Sequence, residues 1–308
     1  MTTEALIRVG PDEFAQQRDA IVALDARVRE AEGHEALGDA VWRDLAHPGS
    51  DSAGFLLDDR GYAHVARGDR GDDESWTAAL AVPPPADAGT TPLLLDAAVA
   101  HAAAQGARRL TSWVFGADAD DDAAFAAAGF HADRSLHEMR VPLPLSEPVR
   151  RPDGFTVRTF EPGKDDEAVV LVNNAAFGSH AEQGGWTVAT LRAHMADAWF
   201  DPTAFLLAFD ADGLAGFNWL KWHERTADEP ARGEIYVIGV DPRAQGTGLG
   251  RALAIDGLTL VHRRGAPIGM LFVAAENTGA IALYTSLGFT IHRTDRAYVR
   301  DLDPAGSA

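Results

Sequence analysis

Three short patterns occur twice in this chain, in the same order and roughly 150 to 160 residues apart. Phe125-Ala-Ala-Ala-Gly-Phe130 in the first half parallels Tyr284-Thr-Ser-Leu-Gly-Phe289 in the second half. The strand-like segments that match are Leu6–Val9 with Phe155–Arg158, and Leu136–Val141 with Arg296–Leu302. Because chance could produce one such echo but hardly three in order, we expect a duplicated domain. This duplication constrains the fold more than any other feature of the sequence.

Prolines 142, 144, 148 and 152 lie close to the midpoint of the 308-residue chain. Proline removes a backbone donor and disfavours helix at the preceding residue, so this stretch predicts an extended linker. We therefore divide the sequence into a first domain over 1–145, a linker over 146–153 and a second domain over 154–308.

Hydrophobic periodicity in the second half predicts a mixed α/β domain with helices on both faces of its sheet. The predicted strands cover 155–160, 203–209, 214–222, 233–240, 268–274 and 288–302. The predicted helices cover 164–177, 187–199, 248–263 and 278–286, and Thr187 is the expected cap of the second one.

The composition excludes several classes of function. The formal net charge of −19 repels nucleic acid and anionic membrane surfaces, so we expect neither as a partner. The sequence has no cysteine, which removes disulfides and a covalent thiol nucleophile, and its 11 histidines show no metal-ligand spacing. The N-terminus has no signal-peptide pattern and no stretch is apolar enough to span a membrane. We therefore expect a cytoplasmic, metal-free monomer.

The strongest local pattern runs from Glu234 to Arg251, where an apolar strand enters a glycine-rich loop that opens a helix. Glycines 246, 248 and 250 allow a tight turn with exposed N–H groups, and Arg243 adds positive charge, which together suit a pyrophosphate. The loop is no P-loop, since it has no lysine, and no dinucleotide fingerprint, since Arg251 replaces the small residue needed there. By itself, a glycine cluster is equally consistent with a flexible turn.

The spacing Gln245-x-x-Gly248-x-Gly250 resembles the coenzyme A loop of the GNAT superfamily of N-acetyltransferases. About 30 residues later, Asn277-x-x-Ala280-x-x-x-Tyr284-x-x-x-Gly288-Phe289 resembles the segment that closes over the thioester end of the cofactor. The resemblance implies two tandem GNAT-type domains, each with a mixed, mostly antiparallel sheet flanked by helices. It also implies a splayed pair of strands, with acetyl-CoA as the acetyl donor entering beside residues 234–240.

Other segments resemble the mycothiol synthase family, which consists of tandem acetyltransferases of actinobacteria. They are Val172-Asn-Asn-Ala-Ala-Phe177, His180-x-Glu-Gln-Gly-Gly-Trp186, Ala198-Trp-Phe-Asp-Pro202, Gly216-Phe-x-Trp219 and Lys221. In that family the second domain acetylates the cysteinyl amine of cysteinyl-glucosaminyl-inositol to give mycothiol, so the resemblance implies a small thiol-sugar substrate. It covers about 150–302 and is weak in the first half.

The resemblance assigns site residues position by position. Substrate-binding positions are Asp39, Glu182, Lys221 and Glu234, together with Phe272, which stands where the family has a tyrosine. Acetyl-CoA contacts are Ile238, Gly239, Val240, Gln245, Gly246, Thr247, Gly248, Leu249, Gly250, Arg251, Asn277, Thr278, Gly279, Ala280, Ile281 and Ala282. A weak, vestigial second cofactor site falls at Leu80, Ala81 and Val82, because the loop at 82–92 has lost the glycine spacing.

The chemistry expected of these residues is direct transfer in a ternary complex. Glu234 would take a proton from the attacking amine, the N–H groups of 238–240 would hold the thioester oxygen, and Tyr284 would donate to sulfur. Glu234 could instead be a solvated strand end, and Tyr284 a packed aromatic. Two other functions stay open: an acetyltransferase for another small amine, favoured by Phe272, and a non-catalytic acyl-CoA-binding regulator, favoured by the degenerate first loop.

Overall fold

The computed structural model describes residues 6–68, 75–87, 89–178, 184–226 and 229–302. Within these ranges the chain forms two compact units. The first unit contains the residues up to His137, Ala274–Glu276 and the chain from Arg293 onward. The second unit contains Glu138–Val273 and Asn277–His292. In the described part of the chain, no helix has both the length and the apolar character needed to cross a membrane.

The first unit is a mixed sheet with helices. Its elements are β1 (Leu6–Val9), α1 (Phe14–Glu32), α2 (Asp39–Ala46), β2 (Ala53–Leu57), β3 (Gly61–Arg67), β4 (Ser75–Ala81), α3 (Thr90–Ala104), β5 (Arg109–Val114), α4 (Ala119–Ala127) and the first part of β6 (His131–Pro142). Strands β1 to β4 pair antiparallel in order, and β4 pairs parallel with β5. Trp76, Leu94 and Leu110 are fully buried in the core that α3 forms with this sheet.

The second unit has the same plan and carries the candidate site. Its elements are the end of β6, then β7 (Thr156–Thr159), α5 (Asp166–Ala176), α6 (Val188–Met195), β8 (Phe205–Asp210), β9 (Gly213–His223), β10 (Arg232–Val240), α7 (Leu249–Arg263), β11 (Ile268–Ala274), α8 (Thr278–Ser286) and the start of β12 (Thr290–Asp301). The strand order is β6-β11-β10-β9-β8-β7, with β10 parallel to β11 and antiparallel to β9.

Helices α7 and α5 cover opposite faces of strands β9 and β10. On the α7 face, Ile235 and Leu220 pack with Leu258 in one core. On the α5 face, Trp219 and Val237 lie in a second core together with residues of α5. The predicted arrangement with helices on both faces is therefore confirmed.

The predicted elements of the second half agree closely with the structure. Strand β11 and helix α8 have the predicted bounds, and the Thr187 side chain accepts from the backbone of Thr190 as the expected cap of α6. Helix α6 ends at Met195 rather than at residue 199. The reason lies in packing, because the Trp199 and Phe200 rings sit 5.7 and 5.5 Å from the ring of Trp219.

The end of the chain belongs to the first unit, although the sequence division assigned all of 154–308 to the second domain. Residues 296–301 of β12 pair antiparallel with β5. The Tyr298 ring stacks on Phe125 with centroids 4.2 Å apart, and its hydroxyl donates to Asp122 at 2.7 Å. The compact units thus interleave in sequence, and the division into repeats at 1–145 and 154–308 stays a prediction.

We expect Tyr298→Ala to destabilise the first unit by about 3–5 kcal/mol, the usual cost of deleting a buried aromatic ring. Tyr298 is 2% exposed, whereas Ile291 on the same strand is 50% exposed, so Ile291→Ala is the matched control. Hydrogen exchange measured by mass spectrometry should show faster exchange of the β5 amides in Tyr298→Ala alone. Equal protection of β5 in the two variants would contradict this packing role.

Candidate active site

The parallel strands β10 and β11 separate halfway along β10. Within the described residues, their pairing covers the first four residues of β10 and ends at Ile235. The register of β10 against β9 shifts between Ile235 and Val237, which makes Tyr236 the extra residue of a β-bulge. A bulge bends its strand and increases the twist. The edge of residues 237–240 therefore has no strand beside it on the β11 side, and the splayed pair of strands implied by the resemblance is confirmed.

Glu234 lies on β10 just before this opening, and its side chain is 8% exposed. Its Oε2 lies 2.6 Å from Nε2 of His223 on β9. The register explains this contact. Glu234 is opposite Lys221, and the next pair on the same face, two residues along each strand, is Arg232 with His223. These side chains therefore share one face of the sheet. A buried carboxylate requires a donor or a positive charge nearby, and His223 provides the donor.

Lys221 belongs to an aromatic cluster beside Glu234. Its Nζ lies 5.1 Å from the ring centroid of Trp199 and 5.9 Å from that of Tyr236, within the range of cation–π attraction. Burial raises the pKa of the Tyr236 hydroxyl, and the negative charges of Glu234 and Asp197 raise it further. The predicted substrate residue Lys221 is thus held over two rings, on the same face as the predicted base.

Phe272 and Tyr284 lie on opposite sides of the strand opening. Met270 on β11 is the partner of Glu234, so Phe272, two residues further along, lies on the Glu234 face. Tyr284 of α8 packs instead with Val273 in the core on the α7 face. Burial raises the pKa of Tyr284 to about 12, so its hydroxyl stays protonated at neutral pH. A ligand between the strands would have a carboxylate on one side and a phenol on the other.

Side-chain hydrogen bonds shape the turn that follows β10. The Gln245 amide donates to the Val240 carbonyl at 3.3 Å. The Thr247 hydroxyl donates to the Ala244 carbonyl at 2.7 Å and accepts from the N–H of Leu249 at 3.3 Å. These contacts fix the backbone of the predicted cofactor loop without using its remaining amides.

The glycines of this loop give it an open, left-handed backbone. Gly246 has φ 76° and Gly248 has φ 91°, a region that residues with a Cβ rarely adopt. A Cβ built on Gly246 would meet no atom of the described residues within 4 Å, so there is open space beside this glycine. Helix α7 begins at Leu249, and its first amides have no carbonyl partner within the helix. Such a helix start attracts phosphate groups.

The two arginines near the loop are engaged by the protein itself. Arg243 donates to Asp210 at 2.5 Å. Arg251 donates to both carboxylate oxygens of Glu147, at 3.1 and 2.5 Å, and to the hydroxyl of Ser286 at 2.6 Å. The two carboxylates raise the pKa of these guanidinium groups. The amides of the loop, rather than free arginine charge, are therefore the groups available to an anion.

The second predicted cofactor segment starts α8. The Asn277 side chain accepts from the Ala280 N–H at 3.1 Å and caps the helix. Thr278, Gly279 and Ala282 are exposed, while Ala280 and Ile281 lie partly against the core on the α7 face. The first turn of this helix is thus accessible to a ligand, and the roles of these residues stay predictions.

The remaining predicted positions fall in the first unit or outside the described residues. Asp39 is exposed at the start of α2 in the first unit, and Glu182 lies outside the described residues. In the first unit, β4 also leaves β5 after Ala78, but its register with β3 shows no bulge. There Ala81 is buried, while Leu80 and Val82 pack partly buried against the core. The vestigial second cofactor site stays a prediction.

Sequence reasoning missed His223, Trp199 and Tyr236 as site residues. The signal for His223 was available, because Lys221-x-His223 has the period of two that places both side chains on one face of a strand. The contacts of Trp199 and Tyr236 with Lys221 carry no comparable local signal. They depend on how α6 ends and on the bulge in β10.

Comparison with known proteins identifies the family. A model described as the acetyltransferase (GNAT) family matches residues 175–289, which include β10, the loop and Tyr284. A mycothiol acetyltransferase of Thermobispora bispora is 39% identical over 304 residues, covering 96% of this chain and 99% of that protein. This chain belongs to the mycothiol acetyltransferase family.

Two solved structures share the fold of this member of the mycothiol acetyltransferase family. A GCN5-related N-acetyltransferase from Sphaerobacter thermophilus has a TM-score of 0.72 at 22% identity and covers 98% of each chain. A tandem GNAT protein from the clavulanic acid biosynthesis pathway has a TM-score of 0.70 at 18% identity, covering 98% of this chain and 100% of that one. At these identities the likeness concerns the fold alone, and it confirms the predicted tandem GNAT architecture.

We expect Gly248→Ala to destabilise the second unit by about 1–2 kcal/mol, because a Cβ is strained in the left-handed region. Gly250→Ala is the matched control, since its Cβ would make an ordinary contact 3.5 Å from Cγ2 of Val240. Chemical denaturation should separate the two variants, with Gly250→Ala at or above wild-type stability. An equal loss in both would contradict a specific backbone role for Gly248.

Proposed function

We propose that this protein transfers the acetyl group of acetyl-CoA to the cysteinyl amine of cysteinyl-glucosaminyl-inositol, giving mycothiol. The observation that carries the proposal is the buried carboxylate of Glu234 at the opening between β10 and β11. Membership in the mycothiol acetyltransferase family supports the choice of substrate. Transfer occurs directly between the two bound substrates, because the chain has no cysteine to carry the acetyl group.

The acetyl donor fits the strand opening and the loop beyond it. Acetyl-CoA supplies the acetyl group as a reactive thioester. The left-handed glycines and the amides at the start of α7 would bind its pyrophosphate. On the side facing β11, residues 237–240 are not paired with a strand in the described part of the chain. This edge would hydrogen-bond the arm that leads to the thioester. A donor N–H on this edge would hold the thioester oxygen as charge develops there.

Glu234 would serve as the proton acceptor for the substrate amine. An α-amino group has a pKa of about 7.7–8.0, so a modest fraction is already neutral near pH 7 and the base has a small task. Glu234 faces the same side of the sheet as Lys221, which is the predicted contact to the polar part of the substrate. Asp39 and Glu182 complete the proposed substrate set.

Tyr284 would protonate the departing sulfur. Burial raises its pKa to about 12, so the phenol is protonated at neutral pH and available as a proton donor. The ring packs in the core on the α7 face, 5.6 Å from Phe289, which fixes the direction of its hydroxyl. A proton donor on one side of the opening and an acceptor on the other suit a reaction that consumes one proton at sulfur and releases two from nitrogen.

A second candidate function is acetylation of another small amine. Phe272 lies on the Glu234 face where the resemblance implies a tyrosine, so one hydroxyl contact to a sugar is missing. This change removes a hydrogen-bond donor without altering the proposed acid and base. It therefore affects the choice of amine and leaves the chemistry intact.

Incubation with acetyl-CoA and cysteinyl-glucosaminyl-inositol should give mycothiol, detected by mass spectrometry. A panel of aminoglycosides, polyamines and amino sugars at the same concentration provides the comparison. Turnover of another amine without mycothiol formation would establish the second candidate. Binding of acetyl-CoA with no turnover of any amine would indicate a regulator.

We expect Tyr284→Phe to lower kcat by roughly 10²-fold, within the usual contribution of a general acid. The affinity for acetyl-CoA, measured by calorimetry, should stay within about twofold, because the ring and its packing remain. Phe125→Tyr, at the equivalent position of the first repeat, is the reciprocal control and should leave kcat unchanged. Full activity of Tyr284→Phe would exclude the phenol as the proton donor to sulfur.

A further inference from the structure

We infer that His223 is a positioning residue that acts through Glu234, orienting its carboxylate and carrying its proton to solvent. The inference rests on the proposed function, in which Glu234 accepts the proton of the substrate amine. His223 belongs to none of the sequence motifs that define the candidate site. Its role follows from one contact, in which His223 on β9 reaches Glu234 on the adjacent strand β10.

The geometry of the contact leaves one carboxylate oxygen for the substrate. Nε2 of His223 lies 2.6 Å from Oε2 of Glu234, a short distance typical of a charge-assisted hydrogen bond. The other oxygen, Oε1, makes no hydrogen bond within the described residues and can accept from an amine. Because β9 and β10 are paired through Glu234 and Lys221, the strand backbone fixes both side chains at this separation.

Exposure differs sharply between the two partners. The Glu234 side chain is 8% exposed, whereas that of His223 is 25% exposed. A proton placed on the buried carboxylate therefore reaches water most directly through the imidazole. Nε2 donates while Glu234 is ionised. Once Glu234 is protonated, exchange with water moves the ring proton to Nδ1, Nε2 accepts the carboxyl proton, and Nδ1 releases a proton to water, which restores the starting pair.

Other titratable or charged groups lie near this pair. They are Lys221, Arg232, Glu229, Tyr236 and Asp197. The Lys221 ammonium is directed over two aromatic rings, and the Arg232 guanidinium lies 3.4 Å from a Glu229 oxygen. From β11, the partner of Glu234 is the uncharged Met270. The neighbouring cations and carboxylates offset one another, and His223 makes the direct contact with Glu234.

The proton balance of the reaction requires such an exit. The substrate ammonium loses one proton to Glu234, and its nitrogen lone pair forms the N–C bond to the acetyl carbon. The C–S bond breaks, and the sulfur takes the Tyr284 proton. The nitrogen loses a second proton, which restores Tyr284 through solvent, so each turnover releases one net proton. Glu234 must lose its proton before the next cycle, and His223 is the group in contact with it.

Two substitutions separate the positioning role from the relay. His223→Gln keeps a side-chain N–H near the position of Nε2 but cannot take up and release a proton. His223→Ala removes the donor and leaves the buried carboxylate without this hydrogen bond. His262→Gln is the matched control, because His262 lies at the end of α7 with Nδ1 3.4 Å from the Ala266 carbonyl.

We expect His223→Ala to lower kcat roughly 10²-fold. His223→Gln should lower kcat by about tenfold. The KM for acetyl-CoA should stay within about twofold in both, because the loop at 245–251 is untouched. Added imidazole should restore part of the His223→Ala rate, since the His223 side chain is 25% exposed and its place can be reached from solvent. His262→Gln should behave as wild type.

Glu234→Gln separates this inference from the proposed function. If Glu234→Gln keeps full activity at every pH, the base assignment fails and His223 loses its role with it. If Glu234→Gln is inactive while both His223 variants keep the wild-type rate and pH profile, the inference about His223 alone is wrong. A His223→Ala/Glu234→Gln double variant should be no slower than Glu234→Gln, because His223 acts only through that carboxylate. A further loss of rate in the double variant would overturn the relay, and so would a His223→Ala rate that added imidazole does not change.

Discussion

The separation of β10 from β11 is the constraint on which the rest of the second unit depends. Parallel pairing ends at Ile235, and the adjacent bulge at Tyr236 changes which residues face each helix layer. Ile235 points to the α7 core, while Tyr236 and the next residue both turn to the α5 side. A single inserted residue thus places an aromatic ring beside Lys221 and leaves a free strand edge beyond it. A site with a carboxylate on one face and a phenol on the other needs such an opening.

The proposed phosphate site at the glycine loop relies on local dipoles, because the protein carries a net charge of −19. The structure illustrates this at the glycine loop, where Arg243 and Arg251 are held by Asp210 and Glu147. The groups left for a phosphate are backbone amides, which carry no net charge and cannot be neutralised by neighbouring carboxylates. At Glu234, likewise, the direct partner of the buried carboxylate is an imidazole N–H, that of His223, rather than a lysine or arginine.

The sequence predicted most of the local structure of the second half. Strand β11, helix α8 and the capped start of α6 follow from periodicity and from Thr187, because these signals act within a few residues. The glycine loop was found for the same reason, since positive φ values depend on residue type. Helix α6 was predicted too long, because Trp199 leaves it for a ring contact with Trp219, twenty residues away.

By itself the sequence determined that the chain is a repeated α/β structure in which a glycine loop opens one helix of the second half and a tyrosine lies on a later one. Only the tertiary structure decided that the last strand joins the first unit through Tyr298 and Phe125, and that His223 contacts Glu234. The physical reason is the distance along the sequence over which each interaction acts. Turn geometry and helix caps are encoded by neighbouring residues, whereas strand register and side-chain partners depend on the free energy of packing segments that are distant in sequence.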